Sequence, residues 1–203
     1  MIIKKYIKVT IICAAALSLQ IGFSAEKKEL LMGANASMLT NTCNVCHGPS
    51  GVSQGPGIPT ISGMSSRYFV GVMEGFKSGD IPSTIMDRIA KGYTSKEFKL
   101  MADFYAKKPF VIAKNITSIS LLTKKGGRLH KEFCESCHTS GGSIASDDAG
   151  ILSGQWKFYI QATLEDFISG DRKAPKRMKK MLNELIKKEG DEGIKALLEF
   201  YAQ

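Results

Sequence analysis

Cys43-Asn44-Val45-Cys46-His47 and Cys134-Glu135-Ser136-Cys137-His138 decide the reading of this 203-residue chain. Both segments are C-x-x-C-H. Together they hold every cysteine except Cys13, and two of the three histidines. The spacing has a mechanical logic. Thiols three positions apart can form thioethers with the two vinyl groups of one porphyrin, and the adjacent histidine then lies under the iron. This is the attachment signature of a c-type haem. The pair predicts two covalently bound haem c groups, held by Cys43, Cys46, Cys134 and Cys137, with His47 and His138 as proximal iron ligands. The rival readings are a zinc site and a thioredoxin-like redox pair. Zinc needs four ligands, which the two motifs could supply only by combining. A histidine directly after the second cysteine in both favours haem.

Working outward from the motifs, the chain repeats itself. Cys43 and Cys134 are 91 residues apart, and the same offset aligns residues 61–80 with 152–171. Ser62/Ser153, Gly63/Gly154, Tyr68/Tyr159, Glu74/Glu165, Phe76/Phe167, Ser78/Ser169, Gly79/Gly170 and Asp80/Asp171 are identical pairs. The ends match as well, Phe104-Tyr105-Ala106 against Phe200-Tyr201-Ala202. Two tandem domains follow, one haem each. So small a domain has a thin core, and an apolar porphyrin would supply much of it. Helices are expected over Leu30 to Thr42, Gly127 to Phe133, Lys96 to Ala106 and Asp191 to Ala202. Arg67 to Lys77 carries Phe69, Val70, Met73 and Phe76 at helical spacing. Gly48 to Gly63, rich in proline and glycine, reads as loop, and Lys107 to Ser120 as linker. No strand pattern recurs, so the fold class is all-α.

The first residues belong to a different kind of segment. Lys4, Lys5 and Lys8 precede an apolar run from Val9 to Leu19, and small residues follow at Gly22 and Ser24. This is the order of a secretory signal. Cleavage after Ser24 places Gly22 and Ser24 at the two small-residue positions; cleavage after Ala25 would put Phe23 there. The expected division is a signal peptide over 1–24, an N-terminal domain over 25–106 and a C-terminal domain over 107–203, with an uncleaved anchor as the alternative for the first. Cys13 lies in the apolar run and leaves with it. Elsewhere no stretch approaches the 18 or so apolar residues of a membrane helix, so no stable span remains. Composition, 43% hydrophobic and 23% charged, excludes a disordered chain, a collagen-like repeat and a polytopic membrane protein.

Each iron needs a sixth ligand, and the repeat constrains the search. Met86 stands 39 residues after His47 and Met178 stands 40 after His138, each followed by apolar residues that could start a helix. A thioether suits a soft-leaning iron, and Met/His ligation raises the reduction potential. Met86 and Met178 are the expected axial ligands; Met181 competes with Met178. Met38, Met64, Met73 and Met101 read as core. His130 is the one spare imidazole and reads as a surface or packing residue. Pro59, twelve residues after His47, could offer its carbonyl to the proximal imidazole. Gly150 stands at the matching place in the second half, without a proline, so that contact should be built differently there.

Each half resembles a class I cytochrome c domain. Val72-Met73-Glu74-Gly75-Phe76-Lys77-Ser78-Gly79, Ser83-Thr84-Ile85-Met86 and Arg88-Ile89-Ala90-Lys91-Gly92-Tyr93 are similar to the cytochrome subunit of flavocytochrome c sulfide dehydrogenase. Leu129-His130, Cys134-Glu135, Gly154-Gln155-Trp156 and Glu189-Gly190-Asp191 point the same way. The resemblance covers essentially the whole chain after the signal. It implies Met/His ligation on both irons, a periplasmic location, and an FAD-containing partner subunit that oxidises sulfide and passes electrons to the haems.

Coordination bounds what the haems can do. With both axial positions filled by protein, iron has no vacant site for substrate and cycles between two oxidation states. That describes an electron carrier or relay subunit rather than an enzyme, with any catalysis belonging to a complex. The alternatives are a free dihaem shuttle to a terminal oxidase and a dihaem redox enzyme with one open iron. The formal charge is +9, and its weight is in the second half: residues 107–203 hold 17 basic and 12 acidic residues, against eight and seven in 26–106. Arg172, Lys173, Lys176, Arg177, Lys179 and Lys180 surround Met178. They form either a solvated face or a docking rim for an acidic redox partner. Nucleic acid is not the expected partner of an exported haem protein.

Overall fold

A computed structural model describes residues 33–114 and 120–203. The signal reading of residues 1–24 lies outside the described residues. Helices α1 (Ala36–His47), α2 (Ser66–Ser78), α3 (Met86–Ala90) and α4 (Ser95–Ala106) form the first half, with a 3-10 turn at Pro49–Gly51. Helices α5 (Ser120–Phe133), α6 (Thr139–Gly142), α7 (Lys157–Ser169) and α8 (Lys176–Tyr201) form the second. Among the described residues there is no strand.

Local chemistry sets the helix ends. Asn35 starts α1 by accepting the Met38 N–H at 3.0 Å, a usual N-cap contact. Thr94 and Glu97 close a reciprocal capping box on α4. Gly79 and Gly170 end α2 and α7 in the left-handed conformation, at φ 85° and 89°, where a side chain would be strained.

Several expected boundaries move. The helix expected over Leu30 to Thr42 begins at Ala36 and runs through the first motif to His47. The one expected over Gly127 to Phe133 starts at Ser120. The one expected over Asp191 to Ala202 is the second segment of α8, which is broken at Gly190 by a non-helical φ of 59°. The first segment of α8 carries Met181, Leu182 and Leu185 among its lysines, the helix that the apolar residues after Met178 allow.

The sequence repeat is a structural repeat. Gly63 donates to the Tyr105 carbonyl at 2.9 Å, and Gly154 donates to the Tyr201 carbonyl at 2.8 Å. The Gly51 carbonyl accepts from Ile61 at 2.8 Å, and the Gly142 carbonyl accepts from Leu152 at 2.8 Å. Each half has its own core. Leu39, Phe69, Met73, Phe98, Met101 and Tyr105 build the first, with Cys43 and Met86 packed against it. Leu129, Phe133, Ile160, Leu185, Leu197 and Tyr201 build the second, with Cys134 and Met181 packed against it. The halves meet through the loops that follow the two motifs. The Asp147 carboxylate takes the Ser65 hydroxyl, and the Phe158 ring lies beside Gly57.

Candidate haem-binding sites

The first motif sits on the last turns of α1, so Cys43 and Cys46 fall about one helical turn apart. The second follows α5 in hydrogen-bonded turns: His138 N–H reaches the Cys134 carbonyl at 2.9 Å, and Cys134 N–H reaches the His130 carbonyl at 2.8 Å. In both motifs the first cysteine is half-buried and the second exposed. Burial pushes the Cys43 and Cys134 thiols above their ordinary value. Among the described residues no group of three or more His, Cys, Asp or Glu side chains is gathered for a metal ion. The two motifs therefore do not combine into one zinc site.

A cavity of about 510 Å³ opens beside the second motif, within the roughly 300–1,000 Å³ usual for cofactor-sized ligands. Cys134, Cys137 and His138 line it, together with Leu152, Ile160, Leu164 and Leu182. Met178 and Met181 both line it as well. The donor set fits a haem c: two thiols at attachment spacing, an imidazole beside them, thioethers on the same cavity and an apolar lining. In the first half, Cys43 and Met86 pack against the same core, and Met86 is the first residue of α3.

The two motif imidazoles are held from behind. His47 is buried and its Nδ1 donates to the Pro59 carbonyl at 2.8 Å, the contact expected from the sequence. Burial lowers the His47 pKa and the Pro59 carbonyl opposes that shift. His138 follows the same pattern, lowered by burial and raised by the Gly150 carbonyl. Its Nδ1 nevertheless makes no hydrogen bond of normal geometry, so the Gly150 contact is the weaker of the two. The matching carbonyl is present in the second half, but the hydrogen bond that Pro59 makes to His47 is not reproduced there, so the contact is built differently, as the sequence suggested.

His130 is not a surface residue. It is 1% exposed, its Nδ1 lies 2.8 Å from the Tyr201 hydroxyl and its Nε2 2.6 Å from Glu135. With both ring nitrogens engaged it cannot ligate iron. The repeat offset places it at the position of Leu39, a core residue of the first half, and that alignment was the signal for its burial. Glu135 also accepts the Ser140 and Gly141 N–H groups at 2.7 and 3.1 Å. Those backbone bonds, Gly141 first, hold its carboxyl below the usual glutamate value.

The second cavity is not walled by its own half alone. Arg67, Tyr68, Val72 and Ile81 of the first half line it, and so do Tyr159, Arg172, Lys173 and Arg177 of the second. Tyr68 is half-buried, and desolvation raises its pKa while Arg172 counteracts. Arg172 also lies over the Phe167 ring at 4.8 Å. The repeat pairs Tyr68 with Tyr159, but nothing in the sequence signals that Tyr68 faces the cavity of the other half.

Two all-α halves with one C-x-x-C-H motif each define a class, and comparison agrees with it. No family model matches the chain. It is 30% identical over 108 residues to cytochrome c-553 of Nitratidesulfovibrio vulgaris, covering 98% of that protein and 51% of this chain. The chain belongs to the c-type cytochromes: it is a dihaem electron-transfer protein of two tandem class I domains, each with a covalently bound haem c. More particularly, it is 41% identical over 68 residues to the cytochrome subunit of sulfide dehydrogenase from Chlorobaculum tepidum. That match spans 61% of the relative's length and 34% of this chain. The crystal structure of reduced cytochrome c4 from Pseudomonas stutzeri superposes with a TM-score of 0.68, covering 82% of this chain and 95% of that one at 21% identity; that likeness speaks for the fold.

Proposed function

We propose that this chain is the periplasmic cytochrome partner of an FAD-containing, sulfide-oxidising subunit, and that it receives electrons from that subunit. The observation that carries the reading is the 41% identity to a sulfide dehydrogenase cytochrome subunit. The signal-like sequence of residues 1–24 supports export. Among the described residues no helix is long and apolar enough to cross a membrane. The domain division is 25–106 and 107–203; α4 ends at Ala106, and Ala113 already bonds to the Gly154 carbonyl at 2.8 Å.

Cys43 and Cys46 anchor the first haem and Cys134 and Cys137 the second. His47 and Met86 are the axial ligands of the first iron, His138 and Met178 those of the second. When bound, each haem supplies one-electron chemistry between ferric and ferrous iron. This chain's residues attach it, fill both axial positions, orient the proximal imidazole and exclude water from one face. Arg172, Lys173 and Arg177 line the second cavity, and Lys173, Lys176, Arg177, Lys179 and Lys180 are exposed. This rim would steer an acidic partner to the second haem.

Purification from native periplasm tests the assignment. We expect the chain to copurify with a flavoprotein, with flavin present in the complex. Recovery free of any flavoprotein would instead support a soluble dihaem shuttle. Rapid carbon monoxide binding by the reduced protein would show an open iron and overturn the carrier reading.

A further inference from the structure

We infer that Gln155, in the second half, is a positioning residue for the iron ligand of the first half. The inference rests on the reading of His47 as that ligand. Gln155 is 1% exposed and lines the cavity beside the second motif. Its side chain nevertheless reaches across to the first half. Oε1 accepts the Thr60 N–H at 2.9 Å and Nε2 donates to the Thr60 carbonyl at 2.9 Å. Oε1 also accepts the Trp156 N–H at 3.2 Å. Two N–H donors on one side and a carbonyl on the other fix which way the amide points.

The Thr60 N–H and the Pro59 carbonyl belong to one peptide group. The carbonyl end accepts His47 Nδ1–H at 2.8 Å, and the N–H end donates to Gln155 at 2.9 Å. The result is a hydrogen-bonded chain from His47 through one peptide plane to Gln155. Consecutive hydrogen bonds polarise one another, most where water is excluded, and Thr60 is only 1% exposed. An acceptor on the Thr60 N–H makes the Pro59 oxygen a better acceptor for His47. A stronger bond at Nδ1 makes an imidazole more basic toward its metal and fixes its ring plane. That favours ferric iron over ferrous.

The repeat provides a contrast. At the offset of 91 the residue matching Gln155 is Met64, which cannot make such a clamp. The first half instead presses the Tyr68 hydroxyl against Gly150 so closely that a Cβ there would meet it at 2.9 Å. The support behind His138 is therefore steric, and the support behind His47 is a two-point hydrogen bond. Gln155 gives the two haems different proximal surroundings in a chain whose halves otherwise copy each other.

The test uses the reduced holoprotein with Gln155→Met, which keeps the length and removes both hydrogen bonds, and Gln155→Glu, whose protonated carboxyl offers the same acceptor and donor. Nuclear magnetic resonance of the His47 and His138 ring signals follows each haem separately through a redox titration. In Gln155→Met we expect the His47 Nδ1–H resonance to move upfield while that of His138 holds. The reduction equilibrium constant of the first haem should rise at least threefold, about 28 mV at roughly 59 mV per decade for one electron. Gln155→Glu should restore the wild-type values. A His47 ring without a haem ring-current shift would overturn the ligand reading itself. A haem-shifted His47 whose Nδ1–H and potential ignore Gln155→Met would overturn the inference, as would equal movement of both haems. If Gln155→Met fails to fold, Gln155→Glu titrated to its carboxylate form gives the Thr60 N–H a stronger, charged acceptor, so the His47 Nδ1–H resonance should move downfield and the reduction equilibrium constant of the first haem should fall; an unmoved His47 signal there also overturns the inference.

Discussion

At the scale of the residue, the methionines are the sharpest test. Met86→Ala should remove the thioether from the first iron and lower that haem's potential, by a sizeable part of the roughly 0.8 V that axial ligands span. The visible spectrum and a redox titration of the purified protein check this. In the second half Met178→Ala should have the same effect and Met181→Ala should cost only packing; the reverse result would transfer the ligand role to Met181, which lines the same cavity. Glu135 makes a second prediction. Its folded pKa is depressed, chiefly by the Gly141 and Ser140 N–H groups, so it stabilises the fold above the ordinary glutamate pKa of about 4.3. That contribution is lost as pH falls through the lower folded value. Glu135→Gln should therefore be less stable at neutral pH, and the difference from wild type should shrink in acid unfolding below about pH 4. The two C-x-x-C-H motifs were legible because their spacing is local, five consecutive residues each. The hydrogen-bond partner of His130 was not, because it is Tyr201, 71 residues away.

At the scale of the element, the crossing of α5 and α8 holds the second half together, and Gly126 is where it is tightest. A Cβ on Gly126 would stand 2.0 Å from the Ala196 carbonyl oxygen, which is backbone and cannot move aside. Gly127 faces only the Phe200 ring, at 3.3 Å. We expect Gly126→Ala to destabilise by about 1–3 kcal/mol or more through overpacking. Gly127→Ala should be near neutral, since alanine regains up to about 1 kcal/mol of helix propensity. Guanidinium unfolding followed by haem absorbance checks both. The sequence indicated that helices lie here from their apolar spacing. It did not indicate that glycines inside α5 serve close approach rather than flexibility, because that reason lies on α8.

At the scale of the whole molecule, charge asymmetry predicts how the protein meets its partner. Exposed Lys173 and Arg177 and half-buried Arg172 line the cavity that includes residues of both halves, and exposed Lys176, Lys179 and Lys180 lie beside them in sequence. Reduction by an acidic partner should slow steeply with ionic strength. Exchanging Lys173, Lys176 and Arg177 for glutamate should slow it by tenfold or more at low salt, within the 10–10³ range of electrostatic steering. Stopped-flow rates across a salt series check this; a flat profile would return the cluster to a solvated face. The division into two similar halves was legible from the constant offset of 91 residues. How the halves lean on one another was not: Tyr68 presses on Gly150, and Gln155 holds Thr60 from 95 positions away.

By itself the sequence determined the cofactor type, the number of haems, the helical class and the duplication, since each is written in short-range spacing that survives without a fold. Only the tertiary structure decided that both Met178 and Met181 reach one cavity, that His130 has both nitrogens bonded, and that Gln155 of one half holds the peptide behind His47 of the other. These contacts join residues far apart in the chain, and packing, not periodicity, brings them together.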